Sequence, residues 1–115
     1  MRVAFVGFGE VAAAFSRALA ARGAKIRAYD VHQRPPVDPV SFMPLADALR
    51  EASLVLSTVT TSAALQAARQ CAPHLKAGQT YVDLNATDPE VKLEIERAIA
   101  PSGAAFVEGA ILGAI

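Results

Sequence analysis

Gly7-Phe8-Gly9-Glu10-Val11-Ala12 sets two glycines and a small residue in the spacing G-x-G-x-x-A. That spacing suits a main chain that must turn sharply and let a charged group come close. Gly7 permits the tight turn, Gly9 lacks a Cβ that would hold a ligand off, and Ala12 is small enough for a helix to pack on the preceding strand. The start of such a helix adds orphan N–H donors and a partial positive charge. The group these features suit is a phosphate, and in this setting the pyrophosphate of a dinucleotide. Asp30 stands 18 positions after Ala12, at the end of Lys25-Ile26-Arg27-Ala28-Tyr29. An acid about 20 residues on can accept hydrogen bonds from the adenosine ribose and repel a 2′-phosphate, which points to NAD over NADP. Arg34, four positions further, offers a phosphate partner and keeps NADP open. Asp30 would serve equally to open a turn.

These residues need strands and helices to hold them. Arg2 to Val6 reads as a buried strand, and Val11, Ala14, Phe15, Ala18 and Leu19 form an apolar helical stripe with Ser16, Arg17 and Arg22 off it. Gly23 stops that helix and the second strand follows. Pro35, Pro36 and Pro39 leave the segment from Val31 as a loop. Val40 to Met43 is a short third strand, and Pro44 starts a helix over Leu45, Ala48 and Leu49. Leu54 to Val59 is a nearly unbroken apolar run, as in a strand buried on both faces. A helix from Ala63 to Cys71 follows, then a strand over Thr80 to Leu84. Thr87-Asp88-Pro89-Glu90 has the form of a capping box and opens a helix with Val91, Ile95, Ala98 and Ile99 on its apolar face. Gly103 closes it before a strand over Ala104 to Val107. Strands alternating with helices specify an α/β fold, a Rossmann-type doubly wound parallel sheet in three α/β/α layers. The apolar end, Ile111 to Ile115, carries no polar cap or terminal helix and reads as a domain truncated at its C-terminus.

Composition narrows the partners. At 115 residues the chain is one domain, 1–115, and its 53% hydrophobic, Trp-free composition gives an aliphatic core. Eleven basic and eleven acidic residues cancel, which argues against nucleic acid or an anionic membrane as partner. Cys71 is the only cysteine, cannot form an internal disulfide and fits a reducing cytoplasm as a buried structural thiol. No apolar run is long enough to span a membrane. His32 and His74 are not grouped with other ligands at metal spacing, so no metal is assigned.

Three segments together resemble the cofactor domain of the β-hydroxyacid dehydrogenases, which include 6-phosphogluconate and 3-hydroxyisobutyrate dehydrogenases. The first is the Gly7 to Ala12 loop with Asp30. The second, Asp83-Leu84-Asn85-Ala86-Thr87-Asp88-Pro89, is similar to that family's D-x-S-T-x-x-P motif, and the third, Phe106 to Ala114, to its F-x-D-A-P-V-S-G-G segment. The resemblance implies that Gly7, Phe8, Gly9, Glu10 and Val11 surround the pyrophosphate and Asp30 meets the adenosine ribose. It implies that Thr58, Val59 and Thr60 meet the nicotinamide-side ribose, although threonines also pack well at strand ends. Asn85 replaces the serine that touches substrate, Ala86 replaces a threonine, and Gly113 keeps the first glycine of S-G-G while Leu112 replaces its serine. An Asx turn ahead of the helix would also use Asn85.

The resemblance further implies hydride transfer between a nicotinamide cofactor and a small hydroxyacid or its phosphorylated relative. The family's proton-transferring lysine lies in a helical domain beyond Ile115. Lys25, Lys76 and Lys92 lack its sequence context and read as solvated. These residues alone are then expected to bind cofactor without turnover, and a homodimer would be built mainly from helices outside the chain. A non-catalytic dinucleotide-binding sensor or subunit module shares the loop and Asp30 but has no need of Asn85. A methyl-donor site is disfavoured because Val11 stands where a third loop glycine would fall.

Overall fold

In the computed structural model, which describes residues 1–109, the run after Arg2 forms β1 (Arg2–Val6), with Val3, Ala4, Phe5 and Val6 all buried. A strand covered on both faces belongs inside a parallel sheet. It pairs in parallel with β2 (Lys25–Tyr29) on one side and β4 (Leu54–Ser57) on the other, placing Val6 beside both Tyr29 and Ser57. β3 (Ser41–Phe42) extends the sheet beyond β2, and β5 (Thr80–Asp83) and β6 (Ala105–Glu108) extend it beyond β4. Among the described residues the order is β3-β2-β1-β4-β5-β6, with every pair parallel. The order reverses between β1 and β4, and a crevice opens at the carboxyl ends of strands at such a reversal. The doubly wound Rossmann sheet expected from the sequence is therefore the fold.

Alternate side chains of the strands feed two cores. Val3, Phe5, Ile26, Ala28 and Leu56 pack with Ala12 of α1 (Glu10–Ala21). Ala4, Val6, Val55 and Tyr81 pack against α2 (Leu45–Leu49), α3 (Ala64–Cys71) and α4 (Pro89–Ile99). The segment between β2 and β3 is free of helix, as its prolines require. Cys71 is fully buried, and burial pushes its thiol up to about 12, so it is an inert part of the core. No helix among the described residues is long and apolar enough to cross a membrane.

Several local expectations need correction. The strands expected to reach Val59 and Leu84 stop at Ser57 and Asp83. Thr58 N–H still donates to Val6 O at 2.9 Å and Leu84 N–H to Ser57 O at 3.1 Å before the chain leaves the sheet. The last strand begins one residue later than expected, at Ala105. Pro44 is the residue before α2 rather than its first turn. The capping box does not form: α4 starts at Pro89, Asp88 is the N-cap, and no side chain caps the helix. Proline's fixed φ suits the first helical position, which moves Glu90 to the second, and Thr87 Oγ1 is left buried without a hydrogen-bond partner.

The apolar stripe of α1 is rotated. Ala12 and Ser16 are its buried residues, with Phe15, Leu19 and Ala20 packed beside Ala12, while Ala18 is exposed. Ser16 tolerates burial because its hydroxyl donates to Ala13 O at 2.8 Å. Val11 and Ala14 face the crevice instead of the core. Ala12→Leu is expected to lower stability by roughly 1–3 kcal/mol through overpacking, and Ala18→Leu to stay within about 0.5 kcal/mol. Urea denaturation of both variants checks this, and equal effects would contradict the rotated face.

Candidate functional site

The carboxyl ends of β1, β2 and β4 meet around Gly7. Its N–H donates to Tyr29 O at 2.8 Å and its carbonyl accepts the Thr58 hydroxyl at 2.7 Å. Gly7 has φ +85°, and a Cβ there would lie 2.7 Å from Thr58 O and 2.9 Å from Val59 Cγ1. Only glycine fits. Gly9 differs: nothing lies within 4 Å of where its Cβ would be, so the space over the loop is open. Gly9 is also the N-cap of α1, and no side chain caps that helix. The first internal helix bond runs from Ala13 N–H to Gly9 O at 3.0 Å, which leaves the amides of Glu10, Val11 and Ala12 without acceptors in the helix. An open glycine beside uncapped amides fits a pyrophosphate.

Asp30 ties the second strand to this loop. Its Oδ2 accepts from Phe8 N–H at 2.7 Å and Arg34 Nε at 3.1 Å, and its Oδ1 accepts from His32 N–H at 2.8 Å. Phe8 N–H is thus spent inside the protein and is not available to a phosphate. Burial works to raise the Asp30 pKa, but the His32 and Phe8 amides and the Arg34 guanidinium outweigh it and hold the carboxyl below its ordinary 3.8. The stabilisation from a depressed carboxylate is complete above the ordinary value and disappears as pH falls through the lower folded value. The contact therefore persists throughout the neutral range.

Two cavities flank the loop. One, of about 450 Å³, is lined by Gly7, Phe8, Gly9, Asp30, Arg34, Thr58, Val59 and Thr60, among others. The other, of about 820 Å³, is lined by Glu10, Val11, Arg17, Thr58, Val59, Asn85 and Ala86, with others of α1 and the loop after β5. Thr58 and Val59 belong to both, so the cavities are two halves of one crevice. The structure brings together each candidate residue within 1–109, while Gly113 lies outside the described residues. No cluster of potential metal ligands occurs among the described residues.

At the Asn85 end is a group that sequence reasoning missed. Lys92, expected in solvent, is 5% exposed and lies 3.1 Å from Asp83 Oδ2, with Asp83 itself 1% exposed. Its ammonium also reaches Asn85 O at 2.7 Å and the carbonyls of Asp83 and Gly109, both at 3.3 Å. Asp83 Oδ1 accepts from Asn85 N–H at 3.0 Å and from its side-chain Nδ2, which also donates to Ser57 Oγ at 3.0 Å. The signal was present: Lys92, Ile95 and Ile99 are spaced i, i+3, i+7 on the buried face of α4.

The fold and crevice are those of a dinucleotide-binding domain. The chain matches the NAD binding domain of 6-phosphogluconate dehydrogenase over residues 2–115 and belongs to that family. A conserved hypothetical protein from Sinorhizobium meliloti is 32% identical, superposes with a TM-score of 0.87, and is matched over 99% of this chain and 42% of its own. A conserved protein of unknown function described as structurally similar to 3-hydroxyacid dehydrogenases is 31% identical (TM-score 0.84; 99% of this chain, 45% of that one). The 3-hydroxyisobutyrate dehydrogenase of Mycobacterium tuberculosis shares the fold at 17% identity (TM-score 0.84; 97% and 40%). The chain thus spans less than half the length of these proteins. No curated protein matches it.

Breaking a buried pair on one side strands the remaining charge. Lys92→Met is expected to cost about 3–5 kcal/mol, and adding Asp83→Asn to recover part of that. A denaturation double-mutant cycle measures the coupling, and strictly additive effects would contradict it.

Proposed function

We propose that this chain holds the cofactor for hydride transfer between a nicotinamide dinucleotide and a small hydroxyacid or its phosphorylated relative. The single observation that supports this most is the contrast between Gly7, which has no space for a Cβ, and Gly9, which has nothing near one. The amides of Gly9, Glu10 and Val11 would hold the pyrophosphate, Asp30 the adenosine ribose, and Thr58, Val59 and Thr60 the ribose on the nicotinamide side. Asn85 and Ala86, on the cavity beyond Val59, would face the substrate. When bound, the nicotinamide gives or takes the hydride, and the residues here orient it and shield the reacting face.

The proton moved in the same reaction needs a separate donor. Lys25 and Lys76 lie at or before the amino ends of strands, away from the crevice. Lys92 is close to it, but four oxygens already surround its ammonium. The resemblance places the proton-transferring lysine in a helical domain beyond Ile115, and on this reading residues 1–115 bind cofactor without turning substrate over.

Asp30 and Arg34 set the choice of dinucleotide. A bare carboxylate would repel a 2′-phosphate, whereas here Arg34 offsets its charge through Nε and lines the smaller cavity. NAD binding is thereby accompanied by tolerance of NADP.

Two calorimetric titrations test this reading. Gly9→Val is expected to lose NAD affinity by about tenfold or more, about 1.4 kcal/mol, with folding stability changed by at most about 1 kcal/mol. Unchanged affinity would refute the site. Arg34→Ala is expected to weaken NADPH relative to NADH by about tenfold, the scale of a hydrogen bond to a charged group. An equal effect on both would remove Arg34 from the discrimination.

A further inference from the structure

The side-chain amide of Asn85 has one orientation compatible with its neighbours. Its Nδ2 lies against Asp83 Oδ1, and Asp83 is paired with the Lys92 ammonium. A carboxylate engaged in that way accepts hydrogen bonds and has none to give. The amide nitrogen, and not the oxygen, must therefore face Asp83. The second Nδ2 hydrogen points to Ser57 Oγ at 3.0 Å. Both donors of the amide are consumed inside the protein. Its Oδ1 has no hydrogen-bond partner among the described residues, and Asn85 lines the larger cavity.

We propose that Lys92 and Asp83 are a positioning pair that locks the Asn85 amide with its donors inward, so that Asn85 presents an acceptor to the substrate. The part of the substrate facing Asn85 then carries an O–H or N–H group, a hydroxyl or an amine, and not a carboxylate oxygen. A carboxylate there would meet the Oδ1 lone pairs with no hydrogen between them. The inference rests on the larger cavity being the substrate side of the crevice, as proposed above. Lys92 acts at a distance: it fixes Asp83 and the Asn85 carbonyl, and Asp83 fixes the amide.

Asn85 is the sole asparagine of the chain, so selective ¹⁵N-asparagine labelling yields one side-chain amide pair. In the 115-residue chain with saturating NAD⁺, the two Nδ2 hydrogens are expected to exchange with water about tenfold more slowly than in the Asp83→Ala/Lys92→Met variant, which carries no buried charge to strand and adds no second asparagine. The neutral probes 2-propanol and acetone share a carbon frame, and only the first can donate. 2-Propanol is expected to shift the Asn85 signals saturably in the native protein and acetone to leave them unmoved, with the difference lost in the double variant. Unprotected amide hydrogens, or acetone acting as strongly as 2-propanol on the native protein, would overturn the proposal. Those native measurements decide it even if the variant fails to fold. Calorimetry with NAD⁺ on the same sample separates the two readings. A protected, donor-selective Asn85 without cofactor affinity overturns only the cofactor site, and a free amide with normal affinity overturns only this inference.

Discussion

The crevice depends on the close approach of Gly7 to the chain after β4. Its amide is held by the end of β2 and its carbonyl by the Thr58 hydroxyl. Three strand ends are thus joined through one residue that cannot carry a side chain. Where the chain goes next is also fixed: Phe8 N–H is claimed by Asp30, and Gly9 starts α1 with its first amides uncapped. An anion-binding helix terminus works when its donors are aimed beforehand, because ordering them on binding would subtract from affinity. The rigidity comes from main-chain contacts and resides in the junction, not in the open loop surface that a ligand would touch.

The two halves of the crevice are built from different materials. Around Gly7 and Asp30 the polar work is done largely by backbone amides. Around Asn85 it is done by buried side chains and one ammonium serving the carbonyls at the ends of β5 and β6. Backbone donors suit a part shared by all dinucleotides, since their geometry changes little with side-chain identity. Side chains at the far end can change without disturbing the fold of the loop.

Much of the sheet could be read from the sequence because β1 and β4 are continuous apolar runs separated by glycines and prolines with clear conformational meaning. The loop and Asp30 were legible for the same reason, since their spacing is tied to backbone geometry. The errors share a cause. Ser16 is buried and Ala18 is not, and Lys92 is buried within an apolar stripe, because a polar side chain with an internal partner need not be exposed. Ser16 finds a carbonyl one turn back, and Lys92 finds a carboxylate on β5, nine positions earlier in the chain. The second partner exists only once α4 folds across the sheet. The capping box failed for a local reason, since Pro89 claims the first helical position and displaces the threonine.

A buried ion pair is a weak source of net stability, because desolvating both charges offsets most of their attraction. Apolar residues at positions 83 and 92 would hold β5 and α4 together about as well. They would leave the Asn85 N–H and one Nδ2 hydrogen without an acceptor, and the carbonyls of Asn85 and Gly109 without the ammonium that now serves them. Each abandoned buried group costs roughly 1–3 kcal/mol. The pair is therefore part of a polar network that holds together only as a whole. Its members converge on the loop that borders the larger cavity, so the demand for complete hydrogen bonding also makes the position of that loop unique. At this end of the crevice, stability and site geometry are the same constraint.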